Sequence, residues 1–195
     1  MELALFDFDG TLTKRDSFMD FLRFAVGPGR FVLGALWLSP VLAGYGLGLI
    51  ANQPAKERVL SHFFRGWAVE RFREVARRYA LERVPELLRE EGLRRVRWHV
   101  ASGHRVILVS ASIEDWLAAW CEREGVELLG SRLEVVAGRV TGRLAGANCY
   151  GAEKVVRIRA VLDPSAFEQI HAYGDSAGDR EMLALAHQPH FKPFP

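Results

Sequence analysis

The chain is poor in cysteine, in lysine and, over one long stretch, in charge of any kind. Only Cys121 and Cys149 carry thiols. Two cysteines without metal-ligand spacing exclude a disulfide framework, so both are expected as reduced thiols in a cytoplasm. No signal-peptide pattern stands ahead of the first apolar run. The formal net charge is +2 and the cations are nearly all arginine. That balance makes no case for nucleic acid, and no nucleic-acid partner is expected. Repeats and low-complexity tracts are missing. At 195 residues, 49% hydrophobic and 26% charged, the composition suits one globular domain, or one with an inserted subdomain.

What is present begins at the start. Leu3 to Phe6 reads as a short buried strand running into Asp7-Phe8-Asp9-Gly10-Thr11. Residues i and i+2 of an extended chain point the same way, so Asp7 and Asp9 face one spot at the strand's carboxyl end. Open α/β sheets bind their ligands at such ends. Alone, Asp-Gly is also a common surface-turn pair. A second acidic cluster shifts the balance. Phe167 to Tyr173 reads as a strand, followed by Gly174-Asp175-Ser176-Ala177-Gly178-Asp179. Between the clusters, Val106 to Val109 ends in Ser110, and Lys154 opens a helical pattern after Gly151. Acid pair, hydroxyl, lysine and acid pair, each at the edge of an element, are the parts of a phosphoryl-transfer site. Carboxylates with room for water are how proteins hold Mg²⁺.

The coarse pattern has two textures. Ser17-Phe18-Met19-Asp20 has capping-box spacing and starts a helix. Helical periods recur over residues 54–64, 69–80 and 84–100. From Gly103 on, strands and helices alternate, with a hairpin turning at Gly138. Alternation of this kind predicts an α/β, Rossmann-like core with a mostly parallel sheet flanked by helices. Residues 1–15 and 81–195 are assigned to that core, and 16–80 to an inserted helical subdomain. Ser112-Ile113-Glu114-Asp115 also has capping-box spacing, which predicts Ser110 just ahead of a helix N-terminus, where free amides suit a phosphate.

These residues, in this order, resemble the haloacid dehalogenase superfamily of aspartate-nucleophile phosphatases. Asp7-Phe8-Asp9-Gly10-Thr11 looks like its first motif, Ser110 its second, Lys154 its third and Gly174-Asp175-Ser176-x-x-Asp179 its fourth. The long gap between the first two motifs is similar to the branch with a helical cap inserted there. Val109-Ser110-Ala111-Ser112 and Gly138-Arg139-Val140-Thr141-Gly142-Arg143 look like subfamily IB, which includes phosphoserine phosphatases. One departure is Gly178, where many phosphoserine phosphatases carry Asn.

The resemblance implies Mg²⁺-dependent hydrolysis of a phosphomonoester through an aspartyl-phosphate. Asp7 would be the nucleophile and Asp9 the general acid and base. Mg²⁺ would be held by Asp7, the Asp9 carbonyl, Asp175 and Asp179. Thr11, Ser110 and Lys154 would bind phosphate. Asp16 and Arg58 are similar in position to an acid and a cap arginine that meet the amino and carboxylate groups of phosphoserine. A small phosphorylated metabolite such as phosphoserine is the expected substrate. A membrane-associated lipid-phosphate phosphatase of the phosphatidylglycerophosphate type is the alternative. A phospho-receiver domain, which shares the Asp, Lys and Mg²⁺, is the rival of another class.

No charge occurs between Arg30 and Lys56. Phe31 to Ile50 is about long enough to cross a bilayer as one helix, but a span would put Asp7 and Asp175 on opposite sides. Pro40 and three nearby glycines break the segment. Two short helices covering the site's mouth are expected. Their apolar face meets the subdomain's interior, or a membrane surface through residues 31–50. Oligomeric state is not legible.

Overall fold

The computed structural model describes residues 1–195. The first apolar run forms β1 (Glu2–Phe6). Seven helices follow before the next strand: α1 (Ser17–Val26), α2 (Pro28–Trp37), α3 (Ser39–Gly46), α4 (Asn52–Phe64), α5 (Val69–Glu82), α6 (Val84–Leu87) and α7 (Glu90–Ala101). Then come β2 (Arg105–Ile113), α8 (Ala118–Glu124), β3 (Glu127–Ser131), β4 (Leu133–Val136), β5 (Arg139–Leu144), α9 (Ala152–Val161), β6 (Gln169–Gly174), α10 (Arg180–Ala184) and β7 (Gln188–Phe191).

Five strands make one sheet in the order β3-β2-β1-β6-β7, and every pairing is parallel. The period-2 geometry of β1 sends alternate side chains to opposite faces. Leu3 and Leu5 join Ile107, Val109, Ile158 and Met182 on one side. Ala4 and Phe6 join Val106, Leu108, Val96 and Trp120 on the other. Apolar clusters on both faces are what a parallel sheet requires, and they give the expected α/β Rossmann-like fold. Phe6 is level with Leu108 of β2 and Tyr173 of β6. That register brings Asp7, Ser110 and Asp175 to one edge, with β1 at the point where the strand order reverses.

The structure departs from the sequence pattern in ways that matter for the site. The helix expected over 84–100 is two helices. Leu88 between them is extended and pairs with Thr13, while Lys14 and Arg89 donate to Leu87 and Leu12 at 2.9 and 2.7 Å. The chain leaving β1 and the chain returning to the sheet are thereby stitched together, and that long-range pairing overrides the local helical period. The hairpin β4–β5 stands apart from the parallel sheet and packs on α4 instead. Gly142, at φ +86°, lets the two backbones touch: a Cβ there would lie 2.3 Å from Ser61 Cα. β7 has almost no strand signal, and Pro189 is tolerated because the strand lies at the sheet edge.

Both expected capping boxes are absent. Asp16, not Ser17, caps α1, accepting from the Met19 amide at 2.9 Å. Ser112 caps nothing: β2 runs on to Ile113, which pairs with Ser131 across a register shift, and α8 begins only at Ala118. Ser110 therefore lies within β2, ahead of a short 3-10 turn at Glu114–Trp116 that has no side-chain cap, rather than just ahead of an α-helix. The two serines spend their hydroxyls in the site.

The uncharged segment forms α2 and α3, joined at Leu38, and no helix is long and apolar enough to cross a membrane. It is only half buried. Phe31 stacks near Phe63, Gly34 abuts the Phe63 ring, and Leu38 is buried. The opposite side of α2 faces solvent.

Candidate active site

Asp7 extends β1 by one residue. Its amide donates to Tyr173 O at 2.9 Å, which fixes the carboxylate at the strand end, where it is only 7% exposed. The chain then turns sharply. Gly10 sits at φ +84°, and a Cβ there would lie 2.4 Å from Asp175 Oδ2. Glycine is needed both for the left-handed conformation and for the approach of Asp175.

Four chain segments converge on Asp7. The Lys154 ammonium donates to Asp7 Oδ1 and Asp179 Oδ1, both at 2.6 Å, and to Val109 O at 2.8 Å. Its three donors are all committed to protein. Thr11 Oγ1 lies 3.2 Å from Asp7 Oδ2 and 3.1 Å from Asp175 Oδ1. The Thr11 hydroxyl, expected on the phosphate, sits between these two carboxylates and can donate to one of them. Oxygens of Asp7, Asp175 and Asp179 lie within 4.8 Å of one another. Asp179 Oδ2 also accepts from the Ser176 amide and hydroxyl, at 3.0 and 2.8 Å, in a true capping box.

Burial drives the Asp7 carboxyl up to about 7. Lys154 pulls it down, but Asp179 and Asp9 add to the rise. Asp179 moves the other way. Burial opposes it, but Lys154 and the Ser176 bonds hold it below the ordinary range. Lys154 is raised despite burial, because two carboxylates face it. Three acids against one lysine leave negative charge in a mostly buried site. An all-oxygen donor set with that excess fits a hard divalent cation such as Mg²⁺.

Asp9 has separate partners. Its Oδ1 accepts from the Ser17 amide at 2.6 Å, and its Oδ2 from the Ser17 and Ser112 hydroxyls at 3.0 and 2.7 Å. Burial, aided by Asp16, pushes its pKa up against those hydrogen bonds. Ser110 Oγ accepts from the Ser112 amide at 3.0 Å, which leaves its own O–H free to donate. Asp7, Asp9, Ser110 and Lys154 line one pocket, walled by Phe18, Met19, Leu42 and Tyr45.

The substrate residues expected from the sequence divide. Asp16 lines the pocket while capping α1. Arg58 does not reach it: the side chain is exposed and lies about 200° around α4 from Lys56. Lys56 lines the pocket instead. Its ammonium donates to Ala111 O and Asn148 Oδ1 at 2.7 and 2.8 Å, and burial lowers its pKa to about 8 against the pull of Asp9 and Asp16. The signal was in the sequence, since Lys56 ends the uncharged stretch and is one of four lysines. Ser17, Ser112, Asn148 and Tyr150 were missed as well. Gly178 now has a local reason: a Cβ there would lie 2.3 Å from the Tyr150 ring, so Tyr150 fills the space a larger side chain would need.

A family model described as haloacid dehalogenase-like hydrolase matches residues 4–184. The protein CicA of Caulobacter vibrioides is 38% identical over 194 residues, covering 98% of this chain and 86% of that protein. Phosphoserine phosphatase SerB1 of Mycobacterium tuberculosis is 28% identical over 189 residues, covering 93% of this chain and 61% of its own length. The crystal structure of a protein of unknown function from Bordetella pertussis superposes with a TM-score of 0.82 at 27% identity, covering 95% of this chain and 86% of that one. The chain belongs to the haloacid dehalogenase-like hydrolase family and is an enzyme of its phosphatase kind. That membership removes the phospho-receiver reading.

Proposed function

We propose that the protein is a Mg²⁺-dependent phosphomonoester hydrolase that works through an aspartyl-phosphate on Asp7. The observation that carries this is the buried Asp7 carboxylate at the pocket's end, its oxygens close to those of Asp175 and Asp179. Asp7, Asp175 and Asp179, with the Asp9 carbonyl, would hold the ion. When bound, Mg²⁺ offsets the repulsion between carboxylates and phosphate.

Asp7 attacks phosphorus, forming the acyl-phosphate bond as the ester P–O bond breaks. Asp9 gives a proton to the departing alkoxide, then takes one from the water that opens the acyl-phosphate. The Ser17 and Ser112 contacts hold Asp9 in place for both steps. Ser110 donates to a phosphate oxygen. Lys154 contributes charge and can offer a donor to phosphate only by releasing a present contact. Thr11 positions Asp7 and Asp175. Residues 16–80 act as a cap, since α1, α3 and α4 contribute the pocket's wall.

The substrate reading that the pocket supports best is a small phosphate ester bearing further charge, such as phosphoserine. Asp16 would meet an ammonium and Lys56 a carboxylate. The apolar wall from Leu42 and Tyr45 favours a second reading, a lipid phosphate. Turnover of a chromogenic phosphate ester with Mg²⁺, lost at least ~10³-fold in Asp7→Asn, tests the reaction. Equal rates in both proteins would overturn it. Comparing kcat/KM for phosphoserine and a lysolipid phosphate then separates the two substrates.

A further inference from the structure

Residues 21–56 contain no acidic side chain; Arg23, Arg30 and Lys56 are the only charged groups between Asp20 and Glu57. The inner side of α2 seats Phe31, Gly34 and Leu38 against the fold. The outer side presents Val32, Leu33, Leu36 and Trp37, spaced i, i+1, i+4 and i+5, so they share one face. Leu33 is 69% exposed and Trp37 77%. Leu47 and Leu49, in the turn after α3, are 75% and 79% exposed. Isolated exposed leucines mean nothing, but a run of them on one hairpin marks a docking surface.

The border of this face is basic. Arg58 and His62 of α4 and Arg65, its C-cap, are exposed at i, i+4 and i+7 spacing, and His62 lies against Gly34 of α2, so the middle of this basic stripe adjoins the helix that carries the apolar face. Glu57, the acid of α4, is engaged elsewhere: its Oε1 accepts from Gln53 and from the Leu144 amide. An apolar face with an exposed tryptophan, bordered by arginines and by no acid within residues 21–56, is the chemistry of an interfacial helix on anionic lipid. A second copy is the poorer occupant, because a two-fold interface would set the basic stripes together with no acid on the face to answer them. At ten residues, α2 is about 15 Å long and lies in the interface rather than crossing it.

We propose that the outer face of α2 and the turn after α3 form a docking surface for an anionic phospholipid bilayer. The proposal goes beyond the hydrolase reading and does not rest on it. It also gives Arg58 a role at the membrane rim in place of the pocket. Leu42 and Tyr45 of the same hairpin line the pocket, so docking brings the pocket mouth to the lipid surface.

The test is flotation of the whole protein with vesicles of phosphatidylcholine alone and of phosphatidylcholine mixed with phosphatidylglycerol. Wild type is expected to float with the mixed vesicles, less with phosphatidylcholine alone, and less again in high salt. The triple variant Leu33→Ser, Leu36→Ser, Trp37→Ser is expected to stay in the aqueous fraction while keeping wild-type circular dichroism and wild-type turnover of a soluble ester. The double variant Arg58→Ala, Arg65→Ala should lose the preference for anionic vesicles and the salt effect. Wild type that stays aqueous with both vesicles overturns the proposal, and so does a triple variant that floats as wild type does. Self-association removed by the triple variant, without vesicle binding, assigns the face to a second copy and overturns it too. None of these readouts depends on turnover, so failure here leaves the hydrolase reading intact.

Discussion

The Lys154 ammonium lies 2.6 Å from a carboxylate oxygen of Asp7, a residue 147 positions earlier in the chain. The same nitrogen is 2.6 Å from Asp179. One buried cation thus holds two buried acids, one at the end of β1 and one in the 3-10 turn that follows β6. It does so with every donor in use, which makes it a structural pin as much as a site residue.

Removing that pin should be costly. Lys154→Met leaves Asp7 and Asp179 facing each other without compensation. Breaking a buried pair by deleting one partner costs about 3–5 kcal/mol. Without divalent metal, thermal or urea unfolding should report a loss of this size. Added Mg²⁺ should raise the variant's Tm more than the wild type's, because the ion replaces the missing charge. A variant as stable as wild type in chelator would refute the pin.

Metal removal gives a second expectation. Chelation should abolish ester hydrolysis, and Mg²⁺ should restore it. Asp175→Asn should weaken metal affinity, shifting the Mg²⁺ concentration for half-maximal rate upward by about 10-fold or more, the effect of roughly 1.4 kcal/mol. Isothermal titration with Mg²⁺ measures the same shift without turnover. Full activity in chelator would remove the ion from the account.

Lys56 should govern affinity rather than chemistry. A hydrogen bond to a charged group is worth about 1.5–3 kcal/mol. Lys56→Met should therefore raise KM about 10- to 100-fold for a substrate with a second anionic group. kcat should change little, and a chromogenic phosphate ester with no second anionic group should be unaffected. Because burial lowers the Lys56 pKa to about 8, the ammonium is lost as pH rises through that value. Wild-type KM should climb there, and the variant's should stay flat.

Acid should destabilise the fold through His99. The ring is fully buried, with Nδ1 2.8 Å from His104 Nδ1 and Nε2 2.9 Å from the Tyr173 hydroxyl. Burial, then the neighbouring His171 and His104, push its pKa down from 6.5 to about 3. The folded state prefers the neutral ring. That preference contributes fully above the unfolded value and is lost as pH falls from about 6.5 toward about 3, at about 1.4 kcal/mol per unit. His99→Gln, which cannot titrate, should show a shallower fall in Tm between about pH 7 and about pH 5. Equal slopes would place the acid sensitivity elsewhere.

The sheet and the motif residues were legible because their signals are local. Leu3 to Phe6 is apolar and ends in acids, and an extended chain has only one way to project Asp7 at its end. Val106 to Val109 before Ser110, and the strand before Asp175, carry the same signal. Alternating strands and helices then leave a parallel sheet as the arrangement that buries them. Gly10 was legible as a turn, though not as the residue whose missing Cβ admits Asp175.

What tertiary structure decided lies where two distant segments compete for one group. Ser17 and Ser112 have the local spacing of helix caps, yet both turn to Asp9, because a buried carboxylate costs more unpaired than a helix end left to solvent. Leu88 leaves its helix to pair with Thr13. The hairpin after β3 joins α4 rather than the sheet. Arg58 and Lys56 are two residues apart and look alike as letters, but the helix turns one into the pocket and the other to solvent. Composition and periodicity specify which residues form strands, helices and charge-bearing edges; which charges meet is set by the packing that brings those edges together.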